Sequence, residues 1–564
     1  MSARPRLFAL AALGSTMLVF GAADSATAPR DLVIGSGNTA TADPPIAVPS
    51  TAPCVVPLFA NLTFADFSPK PFSYAPSATC GAGPWAKVVL AADFAVTAGR
   101  QFDRTASIWI GGANVYFGTT AEPSAAVARS WHVENDLTDL TALLATAQPG
   151  LVQLDNLVNG TFTGVLTGRA ELRFYSVAPH ASAPVVPDLV LPLSAGPSGG
   201  AVGLATTGDA LSRTFTLPTN VERAFLDVIA QSQSGDEFWY TCVPDALAGE
   251  LQSCGATAFR EAEITVDGRP AGVAPIYPWI YTGGIDPSLW RPIPGVQTLD
   301  FAPYRVDLTP FAGVLSDGKP HAVAVSVFGA NNFFATTASL LIYRDPRSAS
   351  VTGAVTADTL TAAPAPRVTS NITTAADGTI SGPVAVTSAR HYRIAGFIDT
   401  AHGRVRSEVT GDIAFSNQQT FSISSALYHQ QITQRTGFVV HATRDGRNVH
   451  TETIDEQTWP LAVDFAFASN ADGTSAQTTT IRQELQRTTT VLDHSLLGEF
   501  RNLDNVVHTT DTLHFDANGA VVSATDQASS QQLFAADLAG CFSRDLTAAA
   551  GVLTSVVDGA ACGN

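Results

Sequence analysis

The sequence predicts an all-β fold: two tandem jelly-roll-like antiparallel β-sandwiches followed by a C-terminal β-rich region. Three observations lead to this expectation. Apolar and polar residues alternate with a period of two in short segments such as 170–175 and 322–327. Turn-forming Gly and Pro account for 45 and 34 of the 564 residues and bound such segments. Residues 51–345 also contain two halves that repeat one another in order.

The N-terminal residues 1–28 have the pattern of a secretory signal. Two arginines precede an apolar run over 7–20, which is too short to span a bilayer. The small-residue pattern at 26–28 predicts cleavage there, with cleavage after Ala23 as the alternative. We therefore expect a secreted or periplasmic protein of bacterial type that has no membrane segment once the signal is removed.

Composition excludes two classes of protein. Charged residues make up 14% of the chain and hydrophobic residues 45%, which is the opposite of what a disordered chain requires. The formal net charge of −18 argues against nucleic acid as a partner, because contacts with phosphates require basic surface. We expect a folded protein with a large core.

The six cysteines predict disulfide bonds in an oxidising compartment. Zinc is the less favoured alternative, because no C-x₂-C pair occurs and no His lies near these cysteines, so we predict no metal site. Proximity along the chain favours the pairs Cys54–Cys80, Cys242–Cys254 and Cys541–Cys562.

The internal repeat and the Pro-rich stretches suggest domain limits. Residues 133–138 of the first unit match 304–309 of the second, and each unit has a polar turn earlier in its sequence, at 99–104 and 235–240. The predicted divisions are a signal at 1–28, an N-terminal linker at 29–50, a first sandwich at 51–180, a second sandwich at 186–345, a linker at 346–370, and a C-terminal β-rich domain of unknown role at 371–564.

Acidic side chains near aromatic ones suggest chemistry on sugars. Asp103 lies next to Arg104, and Asp236 and Glu237 precede Trp239. Carboxyl groups can transfer protons, and rings can stack on the apolar faces of sugars. The alternative is structural: an acid beside an Arg can be a surface ion pair, and aromatic residues beside a cysteine can be core. These residues alone predict a secreted protein that acts on or binds carbohydrate, and nothing more specific.

A series of motifs in fixed order resembles the peptide:N-glycosidase A family, most closely its acid-active bacterial branch. The resemblance extends over about residues 80–345. Its motifs are Gly-Arg-Gln-Phe-Asp-Arg at 99–104, Ile-Trp-Ile-Gly-Gly at 108–112, Thr-Ala-Glu-Pro at 120–123, Asn-Leu-Val at 156–158, Phe-Thr-Gly at 162–164, Leu-Pro-Thr-Asn-Val-Glu-Arg-Ala at 217–224, Asp-Glu-Phe-Trp-Tyr at 236–240, Phe-Arg-Glu at 259–261, Thr-Gly-Gly-Ile-Asp-Pro at 282–287 and Leu-Trp-Arg-Pro-Ile at 289–293.

The resemblance implies an amidase that needs neither metal nor cofactor. Its reaction hydrolyses the amide between the innermost GlcNAc of an N-glycan and an Asn side chain, giving Asp and a glycosylamine, so its partners are N-glycosylated peptides or glycoproteins. The two-sandwich peptide:N-glycosidase F enzymes use an Asp within Trp-Asp-Arg as the principal catalytic residue. Phe102-Asp103-Arg104 occupies the matching place here, which implies a catalytic role for Asp103.

The remaining site residues are assigned by the same resemblance and by the repeat. Glu237 and Glu261 are both candidates for a second catalytic acid, and Glu237 is favoured because it falls at the turn that corresponds to Asp103. The F enzymes have a Glu where this chain has Asn156, which can hydrogen-bond a sugar but cannot act as a base. The predicted substrate-binding residues are Arg104, Glu122, Asn156, Asp236, Trp239, Trp290 and Arg291.

Two other functions remain open at this point: a lectin-like module that binds N-glycans without cutting them, and an endo-acting glycosidase. The presence of both Asp103 and Glu237 favours an enzyme over a lectin. The scarcity of charged residues predicts tolerance of acid and an acidic optimum. The sequence makes no prediction about the oligomeric state.

Overall fold

The computed structural model describes residues 32–562, and the predicted signal at 1–28 lies outside them. The first sandwich consists of two four-stranded antiparallel sheets, with strand orders β1-β8-β3-β6 and β2-β7-β4-β5. Its strands are β1 (Cys54–Phe64), β2 (Lys70–Tyr74), β3 (Trp85–Val96), β4 (Thr105–Ile110), β5 (Ala113–Thr119), β6 (Arg129–Asp136), β7 (Gln148–Leu154) and β8 (Leu166–Ser176).

The second sandwich repeats this arrangement. Its sheets have the orders β10-β17-β12-β15, with β9 also paired to β17, and β11-β16-β13-β14. Its strands are β9 (Leu189–Leu193), β10 (Val202–Leu204), β11 (Ala210–Thr216), β12 (Val221–Ser232), β13 (Glu261–Val266), β14 (Arg269–Pro275), β15 (Tyr304–Asp307), β16 (Pro320–Phe328) and β17 (Phe334–Arg344).

Equivalent strands occupy equivalent places in the two sandwiches, so that β3 corresponds to β12 and β4 to β13. Even the short helices repeat. Asp136 at the end of β6 accepts a hydrogen bond from the Thr138 amide, and Asp307 at the end of β15 does the same for Thr309 (3.0 and 2.8 Å). In each unit a 3₁₀ turn and a one-turn α-helix follow.

The short helices of residues 32–562 are α1 (Thr141–Leu144), α2 (Asp245–Ala248), α3 (Ala312–Leu315) and the 3₁₀ turns Ala78–Cys80, Thr138–Leu140, Ser234–Asp236, Trp239–Thr241, Pro287–Trp290 and Thr309–Phe311.

The sandwiches pack side by side. Strand β17 is buried along both faces: Leu340 and Ile342 belong to the core of the second sandwich, whereas Leu341 packs into the core of the first. This double burial explains why the apolar residues at 340–343 of β17 follow one another without a polar alternation. The connection from β14 to β15 reaches across, and the Phe301 amide donates to the Phe117 carbonyl (2.7 Å).

The C-terminal region forms one twelve-stranded antiparallel sheet, mostly a meander of long hairpins. Alternate residues face the second sandwich, with which this sheet shares a single hydrophobic core. Its strands are β18 (Thr352–Asp358), β19 (Arg367–Ser370), β20 (Thr373–Thr374), β21 (Ile380–Thr400), β22 (Gly403–Ile423), β23 (Leu427–Gly446), β24 (Val449–Ser469), β25 (Ser475–Asp493), β26 (Leu496–Phe515), β27 (Val521–Asp537), β28 (Cys541–Ala549) and β29 (Val552–Asp558).

The structure differs from the predicted linkers. Residues 346–370 contain β18 and β19, which pair with β21, because their backbone groups complete the edge of the C-terminal sheet. The N-terminal linker is also attached to that sheet: the Gly35 amide donates to the Leu553 carbonyl (2.7 Å), and the Ala42 amide donates to Gln531 Oε1 (2.7 Å). Both segments are therefore structural parts of the fold.

All three predicted disulfides are confirmed, Cys54–Cys80, Cys242–Cys254 and Cys541–Cys562. Each closes a short loop in a different part of the chain, with sequence separations of 26, 12 and 21 residues. Among residues 32–562, none of the helices has the length and apolar character needed to cross a membrane.

Candidate active site

The turn before β4 carries Asp103, and a buried glutamine fixes its shape. Gln101 Nε2 donates to the Leu157 carbonyl (2.9 Å), and Gln101 Oε1 accepts from the Phe102 amide (3.1 Å) and from Arg104 Nη2 (2.8 Å). These bonds hold the irregular backbone of 99–104 on both sides of Asp103. The carboxylate consequently projects from a rigid part of the first sandwich.

Asp103 faces the second sandwich. Its Oδ2 accepts a hydrogen bond from the Gly283 amide (2.9 Å), and the neighbouring hydroxyl of Thr282 donates to the Thr120 carbonyl of the first sandwich (2.6 Å). A Cβ atom at position 283 would overlap Asp103 Oδ1, so the close approach of the two loops requires glycine. The site therefore lies at the boundary between the sandwiches, a common position for ligand sites.

The environment of Asp103 contains opposing influences on its ionisation. Burial raises the pKa of Asp103 above its ordinary value, whereas the Gly283 amide and the Arg104 charge lower it. Burial disfavours a charged carboxylate because water no longer solvates it, while a donated N–H and a nearby cation favour it. Asp103 is thus a carboxylate whose charge depends on a few fixed groups.

Glu122 lies close enough to Asp103 for their charges to interact. Burial and the negative charge of Asp103 together raise the pKa of Glu122 to about 8, although Arg291 opposes the shift. Arg291 Nη2 donates to Glu122 Oε1 (3.1 Å) and to the Pro123 carbonyl (2.7 Å). Arg291 thereby ties the second sandwich to the Thr-Ala-Glu-Pro segment of the first.

Glu237 lies on the connection that follows β12, which corresponds to the connection that carries Asp103 after β3. Burial and the Asp103 charge raise the pKa of Glu237 to about 7. Its neighbour Asp236 is fully buried and accepts the amides of Asn331, Asn332 and Phe333 (2.7 to 3.0 Å) as well as the Arg260 guanidinium (2.9 Å). Asp236 therefore anchors the turn, and Glu237 is the acid of this pair whose pKa the Asp103 charge raises.

The structure brings together Asp103, Arg104, Glu122, Glu237 and Arg291. The other predicted residues lie elsewhere or point away. Glu261 is buried and its Oε1 pairs with Arg390 Nη1 of the C-terminal sheet (2.5 Å), so it is not a catalytic candidate. Asn156 is fully buried and donates to the carbonyls of Phe64 and Gly164 (2.9 and 3.2 Å).

The two tryptophans are core residues. Trp239 is 1% exposed and packs against Tyr240 and Phe415, and Trp290 is 2% exposed and donates its Nε1 hydrogen to the Gly284 carbonyl (2.8 Å). Neither ring face is open to a sugar, so both tryptophans contribute to the core and do not bind substrate. The exposed aromatic side chain beside Asp103 is instead Phe102, which is 53% exposed and contacts Phe162 (ring centroids 5.4 Å apart).

Sequence reasoning missed Thr282 and Gly283 as site residues. Both belong to the Thr-Gly-Gly-Ile-Asp-Pro motif at 282–287, but a backbone N–H that binds a carboxylate leaves no side-chain signature in a sequence. Within residues 32–562, no group of three or more His, Cys, Asp and Glu side chains has an arrangement that could hold a metal ion.

The cluster contains three carboxyl groups whose pKa values are all raised, and burial is the largest cause for each of them. Burial, together with the negative charge of Asp103, raises the pKa of Glu122 to about 8 and that of Glu237 to about 7, so both keep their protons up to about neutral pH. Carboxyl groups whose environments separate their pKa values in this way can act as base and acid in one reaction. The geometry is suited to hydrolysis in which a proton is removed at one atom and delivered at another.

Comparison with known proteins gives a family match over the region that carries these residues. The family described as "Peptide N-acetyl-beta-D-glucosaminyl asparaginase amidase A" matches residues 45–360. A curated protein of Prunus dulcis, "Peptide-N4-(N-acetyl-beta-glucosaminyl)asparagine amidase A", is 27% identical over 456 residues, which is 76% of this chain and 77% of that protein.

Solved structures resemble the chain more distantly. PNGase F from Flavobacterium meningosepticum, described as a glycosylasparaginase, is 12% identical, with a TM-score of 0.35, covering 52% of this chain and 96% of that one. PNGF-II in its P2₁ space group is 14% identical, with a TM-score of 0.37, covering 52% and 66%.

Proposed function

Because the chain belongs to the peptide N-acetyl-beta-D-glucosaminyl asparaginase amidase A family, we propose that it is a glycopeptide amidase. The bond it hydrolyses is the amide between the innermost GlcNAc of an N-glycan and an Asn side chain. Its substrates are N-glycosylated peptides or glycoproteins. The observation that carries the proposal is the carboxyl cluster of Asp103, Glu122 and Glu237 at the boundary between the sandwiches, inside the region that the family covers.

In the proposed reaction, ionised Asp103 takes a proton from water while the water oxygen attacks the carbonyl carbon of the Asn side chain. The charge that develops on the carbonyl oxygen is offset by Arg291 and by the hydrogen of protonated Glu122. Protonated Glu237 then delivers its proton to the nitrogen as the carbon–nitrogen bond breaks. The products are an Asp side chain and a glycosylamine, which later loses ammonia in water.

The position of Gly283 supports Asp103 as the base. Its amide holds one carboxylate oxygen, Oδ2, at a fixed place, which leaves Oδ1 to accept a proton. Orientation of this kind removes much of the entropic barrier of a reaction with water. A glycosidase would instead act on the sugar's anomeric carbon.

Product analysis separates the proposed function from the lectin-like and endo-glycosidase alternatives. A glycopeptide with one N-glycan is incubated with the protein, and the peptide is examined by mass spectrometry. The amidase leaves a peptide with Asp in place of Asn, an endoglycosidase leaves one GlcNAc on Asn, and a lectin leaves the glycopeptide intact. An unchanged glycopeptide, or one that retains GlcNAc, refutes the proposal.

We also propose export as a secreted or periplasmic protein. The signal-like run at 7–20 and three disulfides, which form in oxidising compartments, support this location. N-terminal sequencing of the exported protein tests it and distinguishes cleavage after Ala28 from cleavage after Ala23. Retention of the full N-terminus in the cytoplasm contradicts it.

A further inference from the structure

The inner face of the C-terminal sheet carries a row of buried amide side chains. Asn417 and Gln419 lie on β22, and Gln430 and Gln434 lie on β23, where Asn417 is directly opposite Gln434. Asn417 donates to Gln434 (2.9 Å), Gln419 to Asn417 (3.0 Å) and Gln430 to Gln419 (2.8 Å). The four side chains form one connected hydrogen-bonded row.

Three of the four amides in this row also donate to the loop that carries Glu237. Asn417 donates to the Tyr240 carbonyl (2.8 Å), Gln419 to the Cys242 carbonyl (2.8 Å) and Gln430 to the Thr241 carbonyl (3.1 Å). These three consecutive carbonyls are in the irregular backbone just after Glu237. A primary amide has two donor hydrogens, so one can bind the loop while the other continues the row.

The same sheet also holds the connection from β14 to β15, which carries Gly283 and Arg291. Gln483 on β25 donates to the Pro278 carbonyl (2.8 Å) and accepts from the Val296 amide (2.8 Å). Thr509 on β26 donates to the Leu289 carbonyl (2.7 Å). The contacts lie on both sides of Gly283 and Arg291 along the chain.

We propose that the C-terminal sheet positions the active site through these side chains. Two loops of the second sandwich are held in this way, the one that carries Glu237 and the one that carries Gly283 and Arg291. The positioning residues that hold them are Asn417, Gln419, Gln430, Gln483 and Thr509. The sheet supplies the hydrogen bonds that these loops cannot form with a neighbouring strand, and unpaired buried carbonyls would otherwise be costly. A displacement of a catalytic group by about 1 Å can cost 10²-fold in rate.

The effect on the reaction rests on the proposed amidase function, whereas the fastening of the loops does not. We therefore test both with Gln419→Leu, using Gln457→Leu as the matched control. Gln457 is a buried glutamine of the same sheet, and its bonds go to Asp455 and Trp459 within its own strand (2.8 and 3.2 Å). Both variants remove a buried amide, so they share the general cost in stability.

Hydrogen exchange of the backbone amides at 241–243 reports the loop directly. We expect Gln419→Leu to accelerate that exchange and to lower kcat about tenfold with KM nearly unchanged, because the loop loses an anchor next to Glu237. Gln457→Leu should leave exchange at 241–243 and kcat at the wild-type level. Wild-type exchange at 241–243 in Gln419→Leu, or faster exchange with wild-type kcat, overturns the proposal.

A second variant covers a failure of Gln419→Leu to fold. Thr509→Val keeps the shape of the side chain and removes only the hydroxyl that binds the Leu289 carbonyl. In this variant we expect faster hydrogen exchange of the Leu289 amide and a lower kcat. If both values stay at the wild-type level, the proposal is overturned for the connection from β14 to β15. If the wild-type protein proves inactive on glycopeptides, the exchange data still decide whether the sheet holds the loops, while the proposed function fails separately.

Discussion

The Gly283 amide nitrogen lies 2.9 Å from Asp103 Oδ2, and this hydrogen bond joins residues 180 positions apart in the chain. It unites two structurally equivalent sandwiches at one carboxylate. Asp103 comes from the first sandwich, whereas the donor that orients it comes from the second. Neither sandwich alone contains the complete site.

Replacement of the central carboxylate is the most direct prediction. In Asp103→Asn we expect the rate of glycan release to fall about 10³-fold, because an amide cannot take the proton of the attacking water. Circular dichroism and the melting temperature should remain close to wild type. Asp66→Asn, which removes a surface carboxylate paired with Lys70, is the control and should stay fully active. A folded Asp103→Asn enzyme at the wild-type rate would contradict the assignment.

A methyl group at position 283 should damage catalysis more than stability. Gly283→Ala places a Cβ against the Asp103 carboxylate and forces it to move. We expect kcat to fall at least about tenfold, since the base is displaced. Gly249→Ala adds a Cβ in open space and should be neutral. Equal kcat values for the two alanine variants would show that the contact with Asp103 has no role.

The rate should depend on pH in a way set by the carboxyl cluster. Activity falls at low pH as Asp103 becomes protonated and falls again as pH rises through about 7, where Glu237 loses the proton it delivers. Glu237→Gln should lower kcat about 10²-fold and abolish the limb near neutrality. Glu250→Gln, on the exposed part of the same connection, should retain the wild-type profile. A wild-type alkaline limb in Glu237→Gln would exclude Glu237 as its source.

Stability should decrease toward alkaline pH. Burial and the neighbouring Glu261 hold the pKa of Glu263 well above its ordinary value, even though Arg390 binds both carboxyl groups. A raised folded-state pKa gives stability that is fully present below the unfolded pKa and is lost as pH rises toward the folded one. The loss is about 1.4 kcal/mol per pH unit between the two values.

The test is Glu263→Gln, whose amide is neutral at every pH. Urea unfolding should show a smaller loss of unfolding free energy between about pH 5 and pH 8 than in wild type. Glu499→Gln, which changes a surface acid paired with Arg501, should keep the wild-type slope. Parallel slopes for wild type and Glu263→Gln would show that Glu263 is ionised throughout.

Local sequence features predicted what depends on neighbours in the chain. Period-two alternation predicted the strands, and proximity predicted all three disulfides. The correspondence of Asp103 and Glu237 followed from the repeat. The failures involve partners far away in sequence: Glu261 binds Arg390, and Asp236 binds the amides of residues 331–333. Trp239 was predicted to stack on a sugar, but Phe415 of β22 covers its ring. This strand begins more than a hundred residues later in the chain, so the sequence around Trp239 does not reveal it.

The arrangement of the C-terminal sheet has a consequence for synthesis on the ribosome. The strands of its meander pair with their neighbours along the chain, so they can form as they emerge. The loops with Glu237, Gly283 and Arg291, however, are translated well before Gln419, Gln483 and Thr509, which hold them. A nascent chain that has released both sandwiches therefore still lacks the hydrogen bonds that hold these loops, and the last of them forms only after Thr509 has been translated.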